Sequence, residues 1–450
     1  MKGLKPPLII CGVVAAKIDP PPLFSNLDPN CKPIATKSRR HSKVDEQFIS
    51  QEIQQLLKEG VIEPSQSSWR AQVLITTNET HRKSIVDYSQ TINQYTYLNA
   101  YPQKRMDKMV EDISQYTYYS ALDLKSAYHQ IPLKEDEKTY TAFEACGNLY
   151  QFTRVPFGVT NGVACFQRVI DSIIDVEQLE GTYAYIDNVT VCGTTKNSHD
   201  QNLTKFLKAS EKYGITFNTS KSVIGVEELK MLGYQVSRGV IKPDPERLQP
   251  LKSMNPPETI KGQQRVVGMF SYYSQWISKF SDKIRPLIQN TIFPLPPDIV
   301  SVFNNLKGEL EDSVLVTVNP NIPLVVETDA SDIAVSATLN QEGRPMAFFS
   351  RTLSSSERNH SAIEKEAYAI VEAIRKWKHY LLYTHFKVVT DQKSVSFIYD
   401  KCQKGKVKND KIQRWRIELS PFSYEVVYRP GKENFAPDMK WSCWKQNHVC

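Results

Sequence analysis

The sequence predicts a chain of several domains in which helices and strands are mixed, a combination of the α+β and α/β classes. Its 450 residues, at about 150 residues per domain, give roughly three domains. Runs of alternating apolar residues, typical of strands, are interspersed with segments of helical spacing. Hydrophobic residues make up 40% and charged residues 23% of the chain, which excludes a disordered protein.

The first half begins with a lead-in and continues into alternating elements. Residues 1–45 are Pro-rich and then basic, which predicts an extended segment. A helix is predicted over about 44–59, because apolar residues recur at helical spacing and Gly60 follows. The segments 71–77 and 83–88 predict strands.

Further along, a strand is predicted to end on Asp123, and 183–191 predicts a tight hairpin with Asp187-Asn188 at its tip. A helix is expected over about 200–213. Prolines interrupt the region from 243 to 257, and a helix is predicted over about 260–280.

The pattern of residues changes near residue 320, where a second β-rich region begins. Two similar strands, 324–329 and 386–391, each end in Thr-Asp, and a long helix is predicted between them over about 361–383. Neighbouring strands of this kind would bring Asp329 and Asp391 to one sheet edge.

Carboxylates at strand ends are the candidate reactive groups. Asp123 and Asp187 could converge on a divalent metal ion, for which carboxylate oxygens are suitable ligands. Taken alone, each is better explained as a turn residue than as a metal ligand. Glu366 is either a helix-surface charge or a metal ligand over the sheet, and Asp438, after Pro437, could simply cap a helix.

Charge and cysteine content set only loose limits. The net charge of +7 permits a polyanionic partner, but it suits a slightly basic soluble protein equally well. Residues 401–416 hold seven Lys or Arg and one Asp, which predicts either a track for a nucleic-acid duplex or a solvated linker. Eight cysteines without a C-x-x-C pair favour reduced thiols and a cytoplasmic or nuclear location. The apolar run 8–16 is too short to cross a bilayer, so no membrane association is expected.

Beyond these patterns, the chain closely resembles the polymerase of gypsy-type long-terminal-repeat retrotransposons, a reverse transcriptase joined to a ribonuclease H, from about residue 25 to 440. The resemblance implies a right-hand polymerase (fingers, palm, thumb) followed by a ribonuclease H-like domain. It divides the chain into a lead-in, fingers and palm, thumb and connection, ribonuclease H-like domain and tail, at 1–45, 46–240, 241–319, 320–440 and 441–450.

Motifs of this family imply roles for residues of the polymerase part. Ser120-Ala-Leu-Asp-Leu-Lys-Ser-Ala-Tyr-His resembles the first catalytic motif and Tyr185-Ile-Asp-Asn the second, which makes Asp123 and Asp187 metal ligands. By the same resemblance, nucleotide-binding roles fall on Lys83, Tyr128, Phe157, Gly158 and Lys221, and the primer grip on Leu232, Gly233 and Tyr234.

The largest departure from the family is at the second motif. The family has Tyr-Ile-Asp-Asp, whereas this chain has Asn188 in the last position. An amide has the shape of a carboxylate but not its charge, so weakened or absent polymerisation is expected. A second departure is Gly162-Val-Ala-Cys, in place of an Ala-Pro-Ala-type run.

The ribonuclease H part retains its carboxylates. The resemblance assigns catalytic and metal-binding roles to Asp329, Glu366, Asp391 and Asp438. Glu364 is a less suitable match than Glu366, and Gln392 stands where the family usually has His. A competent nuclease is therefore expected even with an impaired polymerase.

The function implied is RNA-directed DNA synthesis with ribonuclease H cleavage, using Mg²⁺ or Mn²⁺, two ions per active site. The implied partners are an RNA template, a DNA primer, an RNA:DNA hybrid and deoxynucleoside triphosphates, in the cytoplasm, the nucleus or retroelement particles. The alternative is a degenerate relic or host-adopted protein that only binds nucleic acid.

Overall fold

The computed structural model describes residues 15–77, 82–399 and 409–430. The chain forms two compact units, 1–229 and 230–450. Each has its own buried apolar clusters. The finer domain boundaries implied by the resemblance stay predictions.

The first unit contains four helices and nine strands within its described residues. The helices are α1 (Lys43–Lys58), α2 (Met106–Ser114), α3 (Gly162–Val176) and α4 (Lys196–Tyr213). The strands are β1 (Ile62–Pro64), β2 (Ala71–Thr77), β3 (Arg82–Asp87), β4 (Tyr118–Asp123), β5 (Phe143–Ala145), β6 (Asn148–Phe152), β7 (Thr182–Tyr185), β8 (Asn188–Gly193) and β9 (Val223–Val226).

Two sheets organise this unit. One has the strand order β1-β6-β5-β2-β3 and the other β7-β8-β4-β9. In the second sheet β4 lies between β8 and β9 and pairs antiparallel with both. Helices α3 and α4 pack on this sheet. Thr195 forms a capping box at the start of α4, a local reason for the helix to begin there.

The second unit begins with the end of a strand and continues through helices into a second large sheet. Its helices are α5 (Pro245–Lys252), α6 (Ile260–Tyr272), α7 (Phe280–Gln289), α8 (Pro297–Glu311), α9 (Ser355–Arg358), α10 (Ala362–Lys376), α11 (Lys378–Leu381), α12 (Lys393–Tyr399) and α13 (Asp410–Glu418). Its strands are β10 (Leu229–Met231), β11 (Tyr234–Ser237), β12 (Val240–Pro243), β13 (Leu315–Val316), β14 (Leu324–Ala330), β15 (Ala334–Gln341), β16 (Arg344–Thr352), β17 (His385–Thr390) and β18 (Ser423–Tyr428).

The large sheet of this unit has the order β16-β15-β14-β17-β18. Strand β15 is antiparallel to both of its neighbours, β14 and β16, whereas β14, β17 and β18 run parallel to one another. Helix α10 lies against β14 and β15, and its apolar face, including Ile370 and Ile374, is fully buried. The mixed α/β architecture agrees with the predicted fold class.

Within the described residues 15–42 the lead-in forms no helix, and its Leu23 and Phe24 are buried and donate their backbone N–H groups to the Glu137 carboxylate. The structure differs from two sequence expectations. The helix predicted over 260–280 ends at Tyr272, and a second helix starts at Phe280. The helix predicted over 361–383 breaks at Trp377 into α10 and α11.

Among the described residues, none of the helices combines the length and the apolar character that crossing a membrane requires.

Candidate active sites

The first candidate site lies at one edge of the β7-β8-β4-β9 sheet. Strand β4 ends at Asp123, which is paired in register with Asn188 at the start of β8. Asp187 lies in the two-residue turn between β7 and β8, and its carbonyl accepts a 2.8 Å hydrogen bond from Leu124 N. Two carboxylates 64 positions apart in the chain therefore lie at one edge of the sheet, as the predicted convergence of Asp123 and Asp187 requires.

The turn itself differs slightly from the expected one. Its two loop residues are Ile186 and Asp187, and Asn188 already belongs to β8. Ile186 has φ +54°, a left-handed conformation that is costly for a β-branched residue. Gln167 of α3 compensates, since its Oε1 accepts from Ile186 N at 3.0 Å and its Nε2 donates to Ala184 O at 3.1 Å.

The burial and the charges at this edge shift the pKa of Asp123. Burial raises the pKa of Asp123, the nearby Lys221 charge acts to lower it, and Asp187 raises it further. Asn188 adds no charge, and its side-chain Nδ2 donates to Asp187 Oδ1 at 3.3 Å. The amide thus pairs with the remaining acid instead of repelling it.

An aromatic wall stands beside the carboxylates. The Tyr128 and Phe157 rings meet edge to face at 5.0 Å, and Lys83 Nζ lies 5.0 Å from the Phe157 ring centroid. Burial raises the pKa of Tyr128, and the Asp187 charge adds to the shift. Three of the sequence-predicted nucleotide-binding residues are therefore gathered at this wall.

Gly158 and Lys221 complete the first set. Gly158 has φ +88°, and a Cβ there would lie 3.3 Å from Val86 O, so both the backbone conformation and the space favour glycine. Lys221 is exposed on the segment that follows Asn218, whose N–H donates to Asp123 O at 2.7 Å.

His129 is a member of the wall that sequence reasoning missed. Its ring lies 5.0 Å from that of Phe157. Burial lowers the pKa of His129 to about 4, helped by the Arg154 and Lys83 charges, so its imidazole is neutral near pH 7. The only sequence signal for it is its position next to Tyr128, and Gln167 has no sequence signal that marks its role.

Leu232, Gly233 and Tyr234 lie in the second unit, at the turn between β10 and β11. Leu232 and Gly233 both have positive φ, +50° and +89°. A Cβ on Gly233 would lie 3.1 Å from the Arg247 guanidinium. The Tyr234 ring packs 6.0 Å from that of Trp276.

The second candidate site lies at one edge of the β16-β15-β14-β17-β18 sheet. Asp329 is near the end of β14, and Asp391 directly follows β17. The two strands are parallel, with Glu327 opposite Val389, so both acids emerge at the same edge. Asp438 lies outside the described residues.

Glu366 points from α10 toward these acids. It is 9% exposed, and its Oε1 accepts from Ala330 N at 3.1 Å. Its Oε2 is buried without a hydrogen-bond partner. Burial raises the pKa of Glu366 to about 8, and the charges of Asp391 and Asp329 act in the same direction.

Glu364, two residues earlier, forms hydrogen bonds at the start of α10 instead. Its side chain accepts from Ser361 N at 2.9 Å and from Asn409 Nδ2 at 3.0 Å. These hydrogen bonds lower the pKa of Glu364 to about 2. Glu364 therefore caps α10, and Glu366 is the acid that faces the sheet edge.

The basic segment 401–416 is described only from residue 409 onward. Trp415 is 8% exposed and stacks on Tyr368 with centroids 5.2 Å apart. Trp415 belongs to the core rather than to a surface on which a nucleic acid could stack.

Whether a metal ion can be held depends on the groups that each site presents. In the described ranges, no group of three or more His, Cys, Asp or Glu side chains is gathered closely enough to hold a metal ion. The second site nevertheless fits a divalent cation, because the unpartnered Oε2 of Glu366 faces mutually repelling acids. Carboxylate oxygens are the ligands that Mg²⁺ and Mn²⁺ prefer. The first site offers two carboxylates of this kind and one neutral amide.

Comparison with protein families matches both units. Residues 56–236 match the model of reverse transcriptase (RNA-dependent DNA polymerase), and 319–422 match the RNase H-like domain found in reverse transcriptase.

Two similar relatives are retrovirus-related Pol polyproteins of Drosophila melanogaster. That of transposon opus is 31% identical over 417 residues, which cover 87% of this chain and 41% of the polyprotein. That of transposon gypsy is 28% identical over 416 residues, which cover 87% and 40%. The chain thus spans about two fifths of the length of these relatives.

Solved structures with a similar fold are those of a foamy viral protease-reverse transcriptase. The complex with dsDNA has a TM-score of 0.79 at 20% identity and covers 96% of this chain and 90% of that one. The complex with an RNA/DNA hybrid has a TM-score of 0.72 at 19% identity and covers 95% and 59%.

Proposed function

We propose, for a chain that belongs to the reverse transcriptase–ribonuclease H family of long-terminal-repeat retrotransposons, RNA-directed DNA synthesis at the first site and hydrolysis of the RNA strand of a hybrid at the second. The observation that carries the proposal is that each unit brings carboxylates distant in sequence to one edge of a sheet. Such pairs suit phosphoryl transfer, in which charge must be neutralised at both the attacking and the leaving oxygen.

At the first site, Asp123 and Asp187 would hold the metal ions, Mg²⁺ or Mn²⁺. Two bound ions would activate the attacking hydroxyl and stabilise the leaving oxygen. Lys83, held over the Phe157 ring, is suited to contact the triphosphate of an incoming deoxynucleotide. Tyr128 is suited to lie under its sugar and exclude a 2′-hydroxyl, and Lys221 to assist the departing pyrophosphate.

At the second site, Asp329, Glu366 and Asp391 would hold the metal ions, together with Asp438. Glu366 is anchored through Oε1, which leaves Oε2 to reach the cation. The ligands of the two sites lie in different units. An RNA template, a DNA primer and the resulting hybrid are the expected partners, because the first site would extend the primer on the template and the second would cut the RNA strand of the hybrid. Leu232, Gly233 and Tyr234 are suited to grip the primer end.

Asn188 supports a second candidate function, nucleic-acid binding with little or no DNA synthesis. A neutral amide beside two cations offsets less charge than the family carboxylate. We also propose a cytoplasmic or nuclear location, including retroelement particles, which agrees with the free thiols of Cys31, Cys146, Cys165 and Cys192.

Two assays run in parallel test the proposal. One extends a DNA primer on an RNA template, and the other follows cleavage of the RNA strand of a hybrid, both with Mg²⁺ or Mn²⁺. Asp123→Ala should abolish extension and leave cleavage intact. Glu366→Gln should abolish cleavage and leave extension intact, whereas the matched control Glu364→Gln should retain both.

The outcome separates the candidates. If the unmodified chain and Asn188→Asp both bind a hybrid but neither extends the primer nor cuts RNA, the enzymatic proposal is wrong and the binding function stands.

A further inference from the structure

A lysine from outside the ribonuclease H-like domain reaches the second site. Lys279 Nζ lies 2.6 Å from Asp329 Oδ2, although the two residues are 50 positions apart. Lys279 precedes α7 and lies outside the stretch 319–422 that matches the RNase H-like family model. The acids Asp329, Asp282 and Asp391 all act on the charge of Lys279. A cation supplied by the protein therefore contacts one oxygen of a carboxylate that, by the proposed function, would hold the metal.

The backbone around Lys279 is held rather than loose. Its φ is +51°, which is unfavourable for a residue with a side chain. Ile277 on one side and Phe280 on the other are buried. The backbone of this residue is thus fixed between two apolar anchors, at a point from which its side chain reaches Asp329.

Two hydrogen bonds tie the start of α7 to the same sheet. Ser281 N donates to Ser350 Oγ at 3.0 Å, and Ser331 Oγ donates to Asp282 Oδ1 at 2.9 Å. Ser331 lies only two residues beyond Asp329. The lysine is consequently presented to Asp329 at a high effective concentration.

We propose that Lys279 is an internal counter-ion of the nuclease site that competes with divalent metal for Asp329. This inference rests on the proposed nuclease function. The ammonium group and a divalent cation cannot share one carboxylate oxygen at contact distance without repulsion. A metal ion that binds this oxygen therefore has to displace Lys279, and the lysine raises the metal concentration at which the site fills.

The ion pair lies at a partly exposed position, with side chains 47% and 36% exposed. The surrounding water limits its strength. Removing the lysine charge should accordingly tighten metal binding by about three- to tenfold.

The test measures Mn²⁺ binding by the full chain without nucleic acid. The electron paramagnetic resonance signal of free Mn²⁺ reports how much of the ion remains unbound. Asp329→Asn identifies the sites that belong to the nuclease. Lys279→Met should bind Mn²⁺ about three- to tenfold more tightly at the Asp329-dependent site, whereas Lys279→Arg should stay near the parent. The matched control is Lys283→Met on α7, the helix that follows Lys279; it removes a lysine paired with Glu309 at 2.7 Å and should change nothing.

A second measurement needs no loss of the lysine. In the full chain with ¹³C-methylated lysines, the Lys279 resonance, assigned by its absence in Lys279→Arg, should shift on addition of Mg²⁺ and not in Asp329→Asn.

The failures are distinguishable. Unchanged or weaker Mn²⁺ binding in Lys279→Met, or a Lys279 resonance that stays still while the Asp329-dependent site fills, overturns the competition alone. The absence of any Asp329-dependent Mn²⁺ binding in the parent and in Lys279→Met overturns both the competition and the proposed nuclease.

Discussion

Glu366 is a buried acid between two other acids, and its protonation couples the second site to the stability of the fold. Its pKa is raised from 4.5 to about 8 in the metal-free protein. A carboxyl group whose pKa is raised on folding stabilises the fold at low pH and loses that contribution as the pH rises from about 4.5 to about 8.

The stability of the fold should therefore depend on pH. In the presence of a chelator, the free energy of unfolding should fall between pH 5 and pH 8, and Glu366→Gln should recover about 2–4 kcal/mol of it at pH 8. Thermal unfolding at both pH values measures the effect, with Glu364→Gln as the control for loss of a nearby acid. Equal stability of the parent and Glu366→Gln at pH 8 would show that Glu366 is not strained there.

Several side chains of the sites could be read from the sequence and others could not. The motifs around Asp123, Asp187, Asp329 and Asp391 have local signatures, because each acid closes an apolar strand. Gln167 and Lys279 have none, since each acts on a residue distant in the chain. Their roles arise only when helices and sheets are packed together.

At the scale of elements, a polar link between β4 and α4 holds the helix against the sheet that carries the first site. Ser120 of β4 and His199 of α4 are hydrogen bonded at 2.8 Å, and His199 Nδ1 lies 2.9 Å from Asp200 Oδ1. The residue types suggest a nucleophilic triad, but Ser120 has no exposed surface. The network is therefore a structural link between β4 and α4.

Gly193, the last residue of β8, permits the close approach of β8 and α4. A Cβ at Gly193 would lie 2.3 Å from His199 N, a backbone atom that cannot move without displacing α4. We expect Gly193→Ala to destabilise the chain by about 3 kcal/mol or more through overpacking.

The control for that prediction is Gly147→Ala, in the same unit. Gly147 has φ +78° and no atom within 4 Å of an added Cβ, so it should cost only about 1–2 kcal/mol of backbone strain. Urea unfolding of both variants measures the difference, and equal losses would contradict the steric explanation.

Element boundaries were less predictable than element types. The break between α6 and α7 was missed because the apolar spacing of 260–280 continues through it, although α6 ends at Tyr272 and α7 starts only after the left-handed Lys279. The burial of Leu23 and Phe24 in the lead-in could not be predicted, because their anchor, the Glu137 carboxylate, comes from more than a hundred residues away.

At the scale of the whole molecule, the net charge of +7 is small for a protein proposed to bind polyanions. Its basic residues would act by position, since carboxylates must be kept for the metals. Binding of an RNA:DNA hybrid should still release counterions from the phosphates, so affinity should fall at least tenfold between 50 and 200 mM salt. Fluorescence anisotropy checks this expectation, and an affinity that is independent of salt would contradict it.

The central claim is that the polymerase site is built correctly but lacks one charge. Restoring that charge with Asn188→Asp, in a chain otherwise unchanged, tests it most directly through the rate of primer extension on an RNA template. The rate should rise about tenfold or more, while cleavage of the RNA strand in the same preparation stays constant. An unchanged or lower extension rate in Asn188→Asp, with Asp123→Ala as the inactive reference, would contradict the claim.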